Sequence, residues 1–342
     1  MINANRNLDG FLKVKSKLYA KIAPMQRILI IKTSSLGDVI HNCPVIADIH
    51  THFPNAQIDW VVEEAFADVP QLHAQVNQVL TVAVRRWRKH LFNQNTWVEI
   101  AAFKKIIKQT NYDAIIDSQG LLKSALIACT ANGIKHGYDK NSIREPLASY
   151  FYNKTYNISY QQHAVTRNRA LVALSLGFAA PTNAPDYGIS APKCELTLPE
   201  KYIVALHSTS RNSKLWPTQH WVDLGQQLQQ QNLSLVLPWA SDQEHLRAQV
   251  IAKQVLGSVV LPQLTIRDLA GVIANATAAI GVDTGLSHLA AALNIPVVAI
   301  YTDTMPLLTG VMAGAHTKAV NLGGIAQTPS ADDVLQALNK FL

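Results

Sequence analysis

The most informative part of this sequence is Ala278-Ala279-Ile280-Gly281-Val282-Asp283-Thr284-Gly285-Leu286-Ser287-His288. Its first five residues form a continuous apolar run, as in a buried parallel strand, and a helical pattern of small residues follows. Asp283–Gly285 therefore lie at a strand-to-helix turn. Unpaired N–H groups at such a turn attract phosphate, Gly285 permits close backbone approach, and Thr284 and His288 add donors. The stretch predicts a nucleotide-diphosphate site.

The rest of the chain repeats the alternation of apolar runs and helical patterns in two series. The first series predicts strands at Arg27–Thr33, Gln57–Glu63, Val79–Val84, Ala114–Asp117 and around Gly133–Gly137. The second predicts strands at Tyr202–Leu206, Ser234–Leu237, Val259–Leu261, Ala279–Val282 and Val297–Tyr301. This alternation predicts α/β architecture: two Rossmann-like, doubly wound domains with parallel sheets that face a central cleft.

Residues 176–200 are rich in glycine and proline and lack periodicity, which is typical of a linker. A helical pattern follows the first strand through about His52, and another closes the chain. The predicted organisation is a basic extension at 1–24, an N-terminal domain at 25–180, a linker at 181–200, a C-terminal domain at 201–325, and a final helix within 326–342 able to pack on the N-terminal domain.

Composition and charge narrow the class of protein. Of 342 residues, 48% are hydrophobic and 15% charged, as in ordinary globular domains. The three scattered cysteines form neither a disulfide framework nor a metal motif, so the chain is expected in a reducing cytoplasm. The net charge is +7, and residues 1–24 hold five cations against one acid. That segment suits an anionic membrane surface, but its poor helical periodicity favours an unfolded extension, or an upstream start with Met25 as the original initiator.

Several motifs are absent. No G-x-G-x-x-G follows the first strand of either series, and no G-x-x-x-x-G-K-[ST] occurs, which disfavours dinucleotide and P-loop enzymes. No D-x-D motif is present, and His41, His136, His163 and His207 show no metal-ligand spacing. We therefore expect neither a catalytic metal nor a cofactor.

A polar turn follows the first strand, at Lys32-Thr33-Ser34-Ser35-Leu36-Gly37-Asp38. Asp38 can take a proton from an attacking hydroxyl, and Ser35 and Gly37 can donate to a ligand. A carboxylate here equally suits a helix cap, and the helix N-terminus makes it a weaker base. The turn alone leaves both interpretations open.

Two polar loops follow strands of the second series. In His207–Pro217, the hydroxyls of Thr209 and Ser210 and the cation of Lys214 suit a diphosphate, although a capping loop has the same composition. After the next strand, Glu244 is placed to hold ribose hydroxyls, or to act as an ordinary first-turn helix acid.

Four cations surround one tryptophan at Arg85-Arg86-Trp87-Arg88-Lys89. Such a cluster attracts phosphate or carboxylate groups, or forms a solvated loop. It is too short, and too poor in interleaved aromatic residues, to favour nucleic acid.

Together these stretches resemble glycosyltransferase family 9, the bacterial lipopolysaccharide heptosyltransferases, from about Arg27 to the C-terminus. The matching motifs are Lys32–Asp38, Trp60–Glu64, Arg85–Lys89, Asp117–Ser124, Arg144–Ser149 and Asp283–His288. Arg85–Lys89 and Arg144–Ser149 look like the members that add the first heptose. The resemblance implies a GT-B fold, with ADP-L-glycero-β-D-manno-heptose on the C-terminal domain. It also implies an anionic acceptor, the inner Kdo of Kdo-bearing lipid A, which attacks through its 5-hydroxyl with inversion.

The resemblance also implies residue roles. Asp38 would be the general base, and Lys214 would stabilise the departing diphosphate. The donor would be bound by Ser35, Gly37, Thr209, Ser210, Lys214, Glu244, Asp283, Thr284, Gly285 and His288. The acceptor would be bound by Arg85, Arg86, Arg88, Lys89, Gln119, Lys123 and Arg144. The enzyme would work without metal, peripherally on the cytoplasmic face of the inner membrane.

Three alternatives remain at this stage. The first is a heptosyltransferase that adds the second heptose. The second is a nucleotide-sugar epimerase or dehydrogenase, which would need the glycine-rich loop that the chain lacks. The third is a non-catalytic module for anionic lipid, which would bind without releasing ADP.

Overall fold

The computed structural model describes residues 27–342, so the predicted extension at 1–24 lies outside the described residues. Two six-stranded sheets form, and every pairing within them is parallel. The first sheet contains Arg27–Ile31 (β1), Gln57–Glu63 (β2), Gln78–Val82 (β3), Asn111–Asp117 (β4), Asn132–Tyr138 (β5) and Lys154–Tyr156 (β6). The second contains Tyr202–Leu206 (β7), Ser234–Leu237 (β8), Val259–Val260 (β9), Ala278–Val282 (β10), Val297–Tyr301 (β11) and Ala319–Gly323 (β12).

Helices connect the strands of each sheet. Those of the first half are Leu36–Ile40 (α1), Pro44–His52 (α2), Asp68–Gln71 (α3), Val84–Trp87 (α4), Gln94–Ile107 (α5), Leu122–Ala128 (α6) and Ala164–Leu176 (α7). Those of the second half are Thr218–Gln230 (α8), Asp242–Ala252 (α9), Ile266–Ala274 (α10), Gly285–Ala292 (α11) and Ala331–Leu338 (α12). Within residues 27–342, no helix is both long enough and apolar enough to cross a bilayer.

The central strand β1 shows why the apolar runs become parallel strands. Ile28 and Ile30 pack into a core that continues into the second sheet, whereas Leu29 and Ile31 pack into a separate core on the opposite face. All four side chains are fully buried. Burial of each contributes roughly 1.5–3 kcal/mol, so a strand covered on both faces needs apolar residues at every position.

Both sheets have the same doubly wound order. In the first sheet the order is β3-β2-β1-β4-β5-β6. In the second sheet it is β9-β8-β7-β10-β11-β12, so each strand takes the place of its counterpart in the first sheet. The order reverses between β1 and β4 and again between β7 and β10. Ligands of open α/β sheets bind at such reversals, beyond the carboxyl ends of the strands. The predicted two-domain α/β fold is confirmed. The strand order places the expected ligand-binding edge of each sheet at the carboxyl ends of the strands beside the reversal.

Some predicted elements were wrong or missing. The helix expected through His52 is interrupted at His41–Cys43, because Pro44 lacks an N–H donor and starts a new helix, α2. Strands β6 and β12 escaped prediction because both are partly exposed edge strands without a continuous apolar run.

The position expected for the final helix was also wrong. α12 packs against α8 and β11 of the second half rather than on the first domain. Its buried residues Val334 and Leu338 belong to the core that contains Trp221. The apolar stripe of α12 thus completes the second sheet's own covering layer.

Candidate functional site

A cleft of about 470 Å³ lies where the two strand-order reversals meet. Both halves of the chain line it, through segments that follow β1, β2 and β3 in the first sheet and β7, β10 and β11 in the second. The lining residues are Ser35, Leu36, Gly37, Asp38, His41, Phe66, Arg85, Thr209, Ser210, Lys214, Asp283, Thr284, Gly285, His288, Thr304 and Thr309. Every predicted donor-binding residue except Glu244 is in this set.

Two helix N-termini, those of α1 and α11, approach each other in the cleft. The approach depends on glycine, because a Cβ on Gly285 would lie 2.6 Å from Leu36 Cγ, and one on Gly37 would lie 3.0 Å from His288 Cδ2. Backbone N–H groups at both helix starts and the positive ends of their dipoles favour an anion beside them. The domain contact is therefore part of the anion site.

Lys214 is fixed at the floor of the cleft by Asp283. Its Nζ donates to Asp283 Oδ2 at 2.6 Å, and both side chains are less than one-fifth exposed. Thr304 Oγ1 donates to the same carboxylate oxygen, and Thr209 Oγ1 donates to the Asp283 backbone carbonyl at 2.8 Å. This network holds the ammonium beside the N-terminus of α11 and ties together three loops of the second sheet.

His288 meets His41 of the first domain. His41 Nε2 lies 3.1 Å from His288 Nδ1. Burial lowers the pKa of His288 to about 4, and burial together with the neighbouring His288 and His163 lowers the pKa of His41 well below its usual range. Both rings are therefore neutral at pH 7, with one proton each.

The buried Nδ1 of His41 has no hydrogen-bond partner among residues 27–342. Placing the His41 proton on Nε2 avoids burying an unpaired N–H, and it makes His288 Nδ1 the acceptor. The proton of His288 then sits on Nε2, and this ring lines the cleft. Contact between the domains thus makes His288 a neutral hydrogen-bond donor.

The Asp38 carboxylate lies at the third position of α1. Its Oδ2 accepts hydrogen bonds from Ser35 N and Ser35 Oγ, both at 2.9 Å. The capping role considered from the sequence is therefore present, but Asp38 also lines the cleft and a second, smaller cavity beside it. A carboxylate shared by two cavities can face a nucleophile in one and a donor in the other.

Glu244 is outside the cleft. It lies in the first turn of α9, and its Oε2 accepts from Ala240 N at 2.7 Å. It follows β8, which lies next to β7 in the sheet, and this is the position predicted for a ribose-binding acid. The structure shows the local capping contact at this residue, and its ribose contact stays a prediction.

The arginine-tryptophan segment does not act as one cluster. Arg85 lines the cleft, its backbone N donating to Glu63 Oε1 at 2.9 Å and its guanidinium lying 5.1 Å from the Phe66 ring centroid. Arg86 instead pairs with Glu64 and Glu99, at 3.0 and 2.9 Å.

Both glutamates raise the pKa of Arg86 through hydrogen bonds. Arg86 was predicted to bind the acceptor. The structure shows its guanidinium paired with Glu64 and Glu99, and its acceptor contact stays a prediction. Arg88 and Lys89 are exposed on the following turn and are not among the residues that line the cleft.

The other three predicted acceptor residues surround the smaller cavity or its rim. Gln119 and Arg144 line it. Gln119 Oε1 accepts from Thr33 N and Ser34 N, both at 2.9 Å, so its amide N–H₂ is left for a ligand. Lys123 is not among the lining residues, and its Nζ donates to Ser34 Oγ at 3.2 Å.

Lys32, Arg167 and Thr304 line the two cavities and are among the lining residues that were not predicted as site residues. Lys32 lies within a motif that was quoted, but its position at a strand end gave no signal of a ligand role. Arg167 lies in α7 and Thr304 beyond β11, and only tertiary structure brings them to the site. Among the described residues, no group of three His, Cys, Asp or Glu side chains is arranged to hold a metal ion.

Two doubly wound domains with a charged cleft between their switch points form a GT-B fold. Its sequence matches glycosyltransferase family 9 (heptosyltransferase) over residues 100–337, and the chain belongs to this family.

Similarities to individual proteins support this family assignment. The chain is 45% identical to lipopolysaccharide heptosyltransferase 1 of Escherichia coli (strain K12) over 288 residues, which are 83% of this chain and 90% of the relative. It is similar to the structure of E. coli heptosyltransferase WaaC with ADP, with a TM-score of 0.86, 41% identity and coverage of 93% and 100% of the two chains. The structure of the same E. coli enzyme with ADP-2-deoxy-2-fluoro heptose gives a TM-score of 0.83 at 40% identity, with the same coverage.

Proposed function

We propose that this protein transfers L-glycero-D-manno-heptose from ADP-heptose to the 5-hydroxyl of the inner Kdo of Kdo-bearing lipid A. One observation carries the proposal: Asp38 borders both the large cleft, which Lys214 and the N-terminus of α11 line, and a smaller cationic cavity. The solved complexes of the E. coli enzyme with ADP and with a fluorinated ADP-heptose support the donor assignment.

In this mechanism the acceptor oxygen attacks C1 of the heptose while the bond from C1 to the β-phosphate oxygen breaks. Asp38 takes the proton of the attacking hydroxyl, and the charge of the departing ADP grows on the diphosphate. Lys214, the N-terminus of α11 and the Nε2 proton of His288 are donors already fixed beside that charge. Attack opposite the leaving group inverts the β-linked donor to an α-linked product.

We further propose that the enzyme works against the cytoplasmic face of the inner membrane, because its acceptor is a lipid. The turn between α4 and α5 supports this. Phe92 at its tip is fully exposed, and Trp97 and Val98 on the next turn of α5 are more than half exposed. Arg88 and Lys89 precede them, and each cation near an anionic surface contributes roughly 1 kcal/mol of binding.

A heptosyltransferase of the second type has the same fold, so acceptor choice is the test. We would incubate the protein with ADP-heptose and either Kdo-bearing lipid A or the same acceptor already carrying one heptose. ADP release and a mass gain of one heptose on the first acceptor alone are expected. Transfer only to the heptose-bearing acceptor would assign the second type. Absence of transfer to both by folded protein would refute the proposal.

A further inference from the structure

The smaller cavity beside Asp38 is strongly cationic. It has a volume of about 100 Å³ and is lined by Lys32, Arg144 and Arg167, with Asp38 as the one carboxylate. None of the three cations is in an ion pair with another described residue, whereas Arg169, two residues beyond Arg167, is paired with Asp48. The charge of the buried Arg169 is thus neutralised by Asp48, whereas the cations that line this cavity leave it with an excess of positive charge.

The burial of the Lys32 ammonium in this cavity is energetically unfavourable. Its side chain is buried, and its Nζ has one hydrogen bond, donated to Ser118 O at 2.8 Å, although an ammonium carries three donors. Burial lowers the pKa of Lys32, and the nearby Asp38 and Asp117 partly offset that effect. A buried ammonium with spare donors is stabilised by an anion placed in the cavity that it lines.

Arg167 is held in one orientation by two tyrosines. Its Cζ lies 4.7 Å from the ring centroid of Tyr138 and 4.1 Å from that of Tyr160. Its Nη2 donates to Ser142 O at 2.6 Å, while the buried Nε has no partner among the described residues. The guanidinium is therefore fixed before any ligand arrives, which reduces the entropy lost on binding a planar anion.

We infer that Lys32 and Arg167 bind the carboxylate of the acceptor's sugar acid and thereby orient the ring so that one hydroxyl faces Asp38. The inference rests on the proposed function and extends it to two residues, Lys32 and Arg167, that were not predicted to bind the acceptor. A cavity of about 100 Å³ has room for only a few water-sized groups, which suits a carboxylate and its neighbouring atoms rather than a whole sugar. The ring then extends from this anchor toward the larger cleft, past Asp38, which borders both.

The test compares two soluble acceptors that each carry one Kdo, one with the free carboxylate and one with its methyl ester. Wild type should prefer the acid, because the ester removes the charge that Lys32 and Arg167 recognise. Arg167→Gln should lower kcat/KM for the acid by about 10- to 100-fold, the range expected for a charge-assisted hydrogen bond. It should change kcat/KM for the ester little, so the preference for the acid collapses. The KM for ADP-heptose should stay unchanged.

Lys32→Met is the second variant and should also lose the preference for the acid. Lys253→Gln, which removes an exposed cation at the end of α9, is the matched control and should keep both rates. Thermal unfolding of each variant separates loss of folding from loss of recognition. Equal use of acid and ester by wild type, or a preference for the acid that survives in folded Arg167→Gln, would overturn the inference, and a phosphate elsewhere on the acceptor would then be the better occupant. Failure of wild type on both acceptors would instead overturn the proposed function.

Discussion

The contact between α1 and α11 makes a sharp prediction about Gly285. Alanine at this position would place its Cβ 2.6 Å from Leu36 Cγ and 2.7 Å from Leu36 Cβ. Unbonded carbon atoms normally lie about 3.5–4.0 Å apart, so one helix must move. Gly285 is not in the left-handed region of φ, and alanine is the better helix former, so its own domain should not be destabilised.

The overpacking energy should therefore weaken the contact between α1 of the first domain and α11 of the second. Overpacking of a close contact typically costs 1–3 kcal/mol, and each 1.36 kcal/mol lost from the reactive arrangement lowers the rate about tenfold. We expect Gly285→Ala to lower kcat/KM for ADP-heptose by about 5- to 100-fold while the midpoint of thermal unfolding falls by no more than a few degrees.

A double-mutant cycle isolates the contact. Leu36→Gly removes all three side-chain atoms that the new methyl group would meet, so the double variant transfers the glycine from α11 to α1. Steady-state ADP release should show that the double variant is more active than the product of the two single losses predicts. Losses that simply multiply, or Gly285→Ala with wild-type kcat/KM, would refute the idea that the two helices touch in the reacting enzyme.

Three further predictions follow from the site and its surroundings. Lys214→Met should lower kcat by about 10- to 100-fold through loss of a charge-assisted hydrogen bond, and Lys214→Arg should recover part of it in the same ADP assay. Phe92→Asp should weaken flotation with anionic vesicles without changing turnover of a soluble acceptor, and unchanged flotation would exclude this turn from the membrane contact. His288 and His207 have pKa values lowered to about 4, so the unfolded chain binds more protons than the folded protein between pH 6.5 and 4. The free energy of unfolding in urea should therefore fall as pH drops through this window, by up to about 1.4 kcal/mol per pH unit for each histidine; a flat profile would contradict their burial as neutral rings.

Most of the fold could be predicted from the local sequence. A strand buried on both faces must be apolar throughout, so runs such as Tyr202–Leu206 and Val297–Tyr301 were readable with their bounds. Edge strands such as β6 and β12 are partly solvated, and their mixed composition resembles that of loops. The face covered by α12 depends on a long-range choice between two sheets, which its amphipathic pattern does not encode.

The candidate site was also only partly predictable from the local sequence. Glycine, hydroxyl and cationic residues directly after the central strands were found because the reversal of strand order collects them at one edge. The ion pairs of Arg86 were not predicted, because its partners Glu64 and Glu99 come from other elements. Arg167 was missed because a helical arginine far along the chain has no local feature that relates it to Asp38.

The most direct test of the account is acceptor-dependent ADP release by wild type and by Asp38→Asn. Asparagine keeps an oxygen that can accept the hydrogen bonds from Ser35, so α1 should remain capped, but its amide cannot take the proton of the acceptor hydroxyl. With ADP-heptose and Kdo-bearing lipid A, we predict release by wild type and a loss of about 10²- to 10⁴-fold in the variant, with ADP binding retained. Release by folded Asp38→Asn within a few-fold of wild type would contradict the assignment of Asp38 as the base and, with it, the central claim for this site.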